Sequence, residues 1–368
     1  MKVKKGLDVS KRIDEFDIAK GIGILLVIIG HNIPTGDVRS IIYSFHIPLF
    51  LFISGALLKQ SFVKWNFGRL VRRENNLLVN YLFYSVLFIL FDVLVRVIIL
   101  KQANVHLIIW DIYQSIVFWG INVMWFISSL LLSKLIIRYL IEKIMKRKYQ
   151  FIILLLFFLI GSIGAQITPN YTKWSGLDLL VYYPWAMLVR LLILTGFVLL
   201  GYMVKSWIFN ALNKRYTMLL SLLLLCNIAF AKYTGFVDYH FILLGFAPLT
   251  ILFGITGIIG TLGVSHVLVH VPLLNKELIV WGKQSLFVMV THEYLMLKNL
   301  IGFFLLKLHY LSDHTKLILL IFLIILIERV LIKYLATYFI RLINEIRSIN
   351  LFRYDKTLEN MKNNNILK

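Results

Sequence analysis

The chain has 368 residues, 60% hydrophobic and only 15% charged, with a mean hydropathy of +0.82. That balance excludes an ordinary soluble domain, which is nearer half apolar and a quarter charged. Lys and Arg outnumber Asp and Glu by 39 to 18, for a net charge of +21, but the basic residues cluster between apolar runs, so membrane topology rather than a nucleic-acid partner accounts for them.

Long apolar runs recur from Ile18 to near Ile340 and predict ten membrane spans, near residues 15–34, 41–59, 77–100, 119–140, 151–168, 183–204, 216–232, 239–260, 285–306 and 315–340. The first run follows basic residues yet contains His31 and lacks a small-x-small cleavage site, so it reads as a retained span and not a signal peptide. The stretch 239–280 is the least regular, because Gly245, Pro248, Gly254, Gly257, Gly260 and Gly263 weaken or break a helix. The expected fold is all-α and polytopic, with about ten transmembrane helices. Residues 1–14 form an N-terminal segment, 15–345 one helical domain and 346–368 a polar tail expected to be disordered.

Charge in the connections alternates. Lys2, Lys4, Lys5, Lys11 and Arg12 precede the first span, and Lys59, Lys64, Arg69, Arg72 and Arg73 fill the second loop. Lys143, Lys146, Arg147 and Lys148 fill the fourth, Lys205, Lys214 and Arg215 the sixth, and Arg341, Arg347, Arg353 and Lys356 the tail. This pattern predicts both termini in the cytoplasm and a multi-pass protein of the cytoplasmic (inner or plasma) membrane. Cys226, the only cysteine, excludes an internal disulfide and a cysteine metal cage, and its leucine-rich neighbours predict a buried thiol.

An ionisable group inside a span costs roughly 2.5–3.5 kcal/mol on insertion scales and requires a partner or a purpose. Lys20 and His31 differ by only about 20° around the first helix and lie ~16.5 Å apart along it. Asp17 extends the stripe by one turn, either as an i,i+3 partner for Lys20 or as part of a polar path. His46 lies near the outer end of the second span, beside His31 if the two helices are antiparallel. Trp125 reaches the same side in the fourth span. His292 and Glu293 sit in the ninth; consecutive residues point about 100° apart, so both face one ligand only if the helix bends. Arg190 has no acid three or four residues away and needs a partner from another helix, lipid or an anion. Asp92 and Arg96 form a self-sufficient i,i+4 pair, and Glu328, Arg329 and Lys333 crowd the end of the last span. These residues alone fit either a membrane enzyme or a transporter of a lipid-linked sugar, which also uses intramembrane charges and broken helices.

Four segments in order resemble the membrane-bound acyltransferase-3 family, the bacterial enzymes that O-acylate polysaccharides. "RIDEFDIAKGIGILLVIIGH" resembles the opening signature, in which a basic residue precedes a histidine by eleven positions. "FHIPLFLFISGALL" resembles the second helix, "MWFISSLLL" the Trp-Phe helix and "GKQSLFVMVTHEYL" a late Gly-(Lys/Arg)-x-Ser-Leu…His segment. Two positions depart: Lys20 stands where Arg is frequent, losing bidentate geometry, and Asn80 in "LLVNYLF" replaces a proline. Without a soluble extension, the chain is most like the stand-alone sugar O-acetyltransferases.

The resemblance implies acetyl-CoA as cytoplasmic co-substrate, a sugar or polysaccharide hydroxyl as acceptor beyond the outer face, no tightly bound cofactor and no metal, with the bilayer as the other partner. His31 is the first catalytic candidate, as general base or as transient acyl carrier, followed by Lys20, which Asp17 supports, and His292. His46, Trp125 and Arg190 are expected to hold the acceptor or the developing oxyanion, and Arg69, Arg72 and Arg73 the CoA phosphates.

Overall fold

The computed structural model describes residues 14–59, 67–95, 105–144, 146–170, 173–212, 216–294 and 297–348. Fifteen α-helices order these residues, and the one β-feature among them is an isolated bridge between Asp238 and Leu243. The protein is thus all-α. Seven helices are long and apolar enough to cross a membrane: α2 (Asp37–Ala56), α4 (Asn75–Leu94), α6 (Met124–Lys143), α7 (Arg147–Ile167), α8 (Leu179–Leu212), α9 (Thr217–Phe230, extended by a 3₁₀ turn) and α10 (Ala247–Leu268). The first helix, α1 (Asp14–Asn32), and α14 (Asp313–Tyr334) match them in length but carry more charge. Short helices complete the set: α3 (Phe67–Arg73), α5 (Val105–Ile116), α11 (Pro272–Lys283), α12 (Ser285–Tyr294), α13 (Leu297–Leu306) and α15 (Ala336–Ser348).

Local sequence explains these boundaries. Asp14, Glu15 and Asp17 occupy the first turn of α1, where carboxylates complement the helix dipole, and the helix stops before Pro34, whose ring disfavours helical geometry in the preceding residue. Inside α2, Pro48 has no N–H to offer the carbonyl of Ser44, which instead receives the Tyr239 hydroxyl at 3.4 Å. In the same way Pro184 in α8 leaves the Leu180 carbonyl for the Tyr113 hydroxyl. At 34 residues, α8 extends about 51 Å, well beyond a hydrocarbon core of ~30 Å.

The core surrounds α1, α2, α8 and α10. Its pairs are α1 against α11, α2 against both α8 and α10, and α7 against α8. Glycines set the closest contact at the site's base. A Cβ on Gly21 would collide with the Leu278 carbonyl, and one on Gly282 with the carbonyl of Asp17, so α1 and α11 touch backbone to backbone. Buried Phe16, Ile18, Ile24, Val27 and Ile28 fill the rest of the α1 surface.

Several sequence expectations are corrected. The span expected at 239–260 is a stapled loop over 235–246 followed by α10, which begins at Ala247. Gly235, Ile242 and Gly245 all take positive φ there, and Phe246 N–H closes the loop on the Thr234 carbonyl at 2.9 Å. The span expected at 285–306 is divided into α12 and α13, and α11, which no expected span covers, packs directly on α1. The last span breaks at Leu335, after which α15 lays Phe339 against Phe83, Tyr84 and Phe287. Cys226 is exposed on α9 and not buried. Residues 1–13 and 349–368, with the basic side chains expected there, and Lys64, Arg96, Lys214 and Arg215 lie outside the described residues.

Candidate active site

A cavity of about 230 Å³ opens at the end of the bundle where α1 stops. Its wall on α2 is a helical stripe, Arg39, Tyr43 and His46, spaced four and three residues apart. Trp125 contributes from the first turn of α6, Asp238 to Phe241 from the stapled loop, and Glu293 from the last turn of α12. His31, in the last turn of α1, stands among them.

His31 Nδ1 lies 2.6 Å from Glu293 Oε1, and the two side chains are 26% and 41% exposed. Because a carboxylate only accepts, Nδ1 carries the proton, which leaves the lone pair on Nε2. The His292 ring meets that of His31 edge-on with centroids 5.1 Å apart. His292 Nδ1 donates to the Val288 carbonyl at 2.9 Å, and its Nε2 is enclosed without a partner. His46 repeats the device, donating from Nδ1 to the Ile42 carbonyl at 2.8 Å and packing on Tyr43 with centroids 4.9 Å apart. Arg39 in turn donates to the Tyr43 hydroxyl at 3.2 Å. Lys298 Nζ donates to the His31 carbonyl at 3.1 Å, so a cation satisfies the end of α1.

Three ligand atoms, one each from His31, His292 and Glu293, lie within 4.8 Å of one another, a grouping unseen in the sequence because 262 positions separate His31 from Glu293. Two ligands of a tetrahedral ion at about 2.0–2.1 Å stand about 3.3 Å apart. The shorter His31–Glu293 approach is therefore the geometry of a hydrogen bond, and no step below uses an ion.

Behind the cavity, Arg190 holds two loops together. It is 1% exposed, and its guanidinium donates to the carbonyls of Trp119 at 2.8 Å, Phe118 at 3.5 Å and His240 at 3.3 Å. It also lies 4.5 Å above the Trp119 ring and 5.3 Å from that of Trp125. Phe118, Gly120 and Asn122 all have positive φ, which folds the α5–α6 link tightly enough to present these carbonyls. His240 stacks on Trp125 with centroids 5.2 Å apart and planes within 2°. In the stapled loop Asp238 Oδ1 accepts the N–H groups of His240 and Phe241 at 2.9 and 3.4 Å. Burial raises the Asp238 carboxyl above its ordinary range against the pull of those two N–H groups. Burial, reinforced by the charge of Arg190, holds the His240 imidazole well below its ordinary range.

The structure thus brings His31, His46 and Trp125 to one cavity, with His292 against His31. Arg190 is beside that cavity and not in its lining: its partners are backbone carbonyls, not an acid or an anion. The expectation that His292 and Glu293 cannot serve one group without a bend is also corrected, since the His31 ring sits between their two directions. Lys20 and Asp17 do not line the cavity; they form the i,i+3 ion pair at 2.7 Å. Arg69, Arg72 and Arg73 lie on α3. Arg73 pairs with Glu142 at 3.0 Å and Arg72 is exposed, while the Arg69 side chain is outside the described residues. Glu328 is fully buried and accepts the Thr291 hydroxyl at 2.7 Å, and Arg329 makes a two-point contact with Glu277.

Among the site groups that sequence reasoning missed, Glu293, Asp238 and His240 carried one usable signal, an ionisable residue within an apolar run.

A membrane-embedded helical bundle with a histidine–carboxylate pair in a polar chamber has the makings of proton or group transfer at the membrane. The chain belongs to the acyltransferase-3 family: the family's acyltransferase domain matches residues 13–337. The protein is therefore a membrane acyltransferase. No curated protein and no solved structure matches the chain.

Proposed function

We propose that the protein moves an acetyl group from cytoplasmic acetyl-CoA to a hydroxyl of a surface-polysaccharide or lipid-linked sugar, with His31 as the general base. The observation that carries this reading is the 2.6 Å contact between His31 Nδ1 and Glu293, which fixes the tautomer and leaves Nε2 able to take a proton. His31 Nε2 removes the proton of the sugar hydroxyl as its oxygen attacks the thioester carbonyl. The C–O bond forms, the C–S bond breaks, and the thiolate takes the proton back from the imidazolium, which Glu293 stabilises meanwhile. Tyr43 and His46 are positioned to orient the sugar, and His292 Nε2 is an uncommitted polar atom beside the reacting ring.

The alternating basic segments support an arrangement with the Asp14 end of α1 at the cytoplasm and the His31 cavity toward the outer face. Lys20, paired with Asp17, then stands on the donor side. Membership of an acyltransferase family favours this reading over transport of an unmodified lipid-linked sugar.

The test is ester-linked acetate on surface polysaccharide in cells lacking the protein, complemented at matched membrane levels. Wild type is expected to restore the acetate and His31→Ala to restore none. Equal restoration by both would remove His31 from the mechanism.

A further inference from the structure

A second cavity, of about 280 Å³, lies between the start of α4, the α11–α12 junction and α15. Six of its lining residues are polar or cationic: Asn76, Asn80, Lys283, Gln284, Asn344 and Arg347, and no carboxylate is among its described lining residues. Lys283 and Arg347 are exposed and make no ion pair or hydrogen bond among the described residues. Two cations without an acidic partner among the described residues, set among amide side chains, suit a multiply charged anion.

The location makes that anion part of the chemistry. Gly282, next to Lys283, packs on the Asp17 carbonyl, which puts this cavity at the opposite end of α1 from His31. The helix α12 joins the two: Gln284, Leu286 and Phe287 border this cavity, and His292 and Glu293 border His31. From Ser285 to His292 the helix rises about 10.5 Å.

We propose that this cavity seats the phosphates of the acyl-CoA donor, from which the thioester arm follows α12 to His31. The proposal rests on the acyltransferase reading of His31. The cavity volume is just under the ~300–1,000 Å³ of whole-ligand pockets, which suits one anionic portion of the donor and not all of it. The pantoyl, β-alanyl and cysteaminyl units of the arm each have four chain atoms against the three of a residue spanning ~3.5 Å, so the extended arm reaches roughly 14 Å and covers the rise of α12.

The decisive experiment measures CoA binding to the full-length protein in zwitterionic phosphatidylcholine nanodiscs, for wild type and for Lys283→Gln/Arg347→Gln. Each lost cation is expected to weaken binding about tenfold and the pair about a hundredfold. Acetyl transfer from the phosphate-free donor S-acetyl-N-acetylcysteamine to deacetylated surface polysaccharide is expected to stay at the wild-type rate. Unfolding temperatures check folding, and the single variants replace the double if it fails to fold. Unchanged CoA affinity would overturn the proposal. So would a difference seen only in nanodiscs containing anionic phosphatidylglycerol, which would make the cavity a lipid-headgroup site. If wild type transfers acetyl from neither donor, the acetyltransferase reading fails, while the dependence of CoA binding on Lys283 and Arg347 still decides this proposal.

Discussion

Replacing Glu293 by Gln isolates the carboxylate's contribution, because Gln keeps nearly the same shape and a hydrogen-bonding oxygen but no charge. During proton transfer the charge created on His31 is centred about 4 Å from the carboxylate, given an Nδ1–Oε1 distance of 2.6 Å. Both side chains are partly exposed, so solvent screens the pair and an effective dielectric of about 20–40 applies. Coulomb's law then gives about 2–4 kcal/mol of stabilisation that only the transition state uses, or a loss of about 30-fold to 1,000-fold in kcat. The assay is thiol release from acetyl-CoA by purified protein with deacetylated surface polysaccharide as acceptor. If the donor's phosphates sit in the cavity proposed at Lys283 and Arg347, the KM for acetyl-CoA should stay unchanged. A Glu293→Gln protein of unaltered unfolding temperature whose kcat stays within about twofold of wild type would refute the reasoning, because Glu293 would then be a bystander.

Other perturbations have equally definite outcomes. Arg190→Met removes the donor to three loop carbonyls and should lower stability by about 3 kcal/mol, seen as a reduced unfolding temperature in detergent together with altered fluorescence of Trp119 and Trp125. Arg190→Lys should recover only part of this, because one ammonium cannot serve both loops. Gly282→Ala adds a methyl group against the Asp17 carbonyl and should cost about 1–3 kcal/mol by forcing α11 from α1, whereas the same change at Gly302, which has open space around it, should cost little. His240 has its pKa depressed in the fold from an ordinary value of 6.5, so its stabilising contribution is present above pH 6.5 and is lost as pH falls through the depressed value. Between pH 6.5 and 5.5 the unfolded chain gains a proton that the fold refuses, at up to about 1 kcal/mol. Thermal unfolding should therefore show a steeper acid slope for wild type than for His240→Gln, and parallel slopes would count against this account.

The sequence revealed the fold class and one side of the site for a common physical reason. Long apolar runs can only be helices in lipid, and imidazoles within them are too costly to be incidental. His31 and His46 could be paired because a short connection forces α1 and α2 together. What escaped notice depended on contacts without sequence periodicity. The loop over 235–246 is nearly as apolar as a span, and only its hydrogen bonds and positive φ angles distinguish it from one. Arg190 donates to carbonyls, which every residue possesses, so no pattern could name its partners. The helical-wheel argument for His292 and Glu293 treats the target as a point, whereas an imidazole ring is wide enough to be touched from two directions. The helix α11 mixes Asn275, Lys276 and Glu277 with apolar residues, which lowered its hydropathy below that of a span although it lies against the core.

The Ser44 carbonyl released by Pro48 has a longer reach than its one hydrogen bond suggests. Through Tyr239 it fastens the stapled loop to the middle of a rigid helix, while the loop's tip supplies one rim of the chamber. Tyr239 thus anchors the loop and lines the chamber at once, beside Asp238, His240 and Phe241. Under the proposed function, a change at Phe241 alone would alter the chamber's acceptor side while leaving the anchor and the His31–Glu293 pair as they are. One missing N–H inside a helix of the bundle thereby holds in place a loop that walls the chamber.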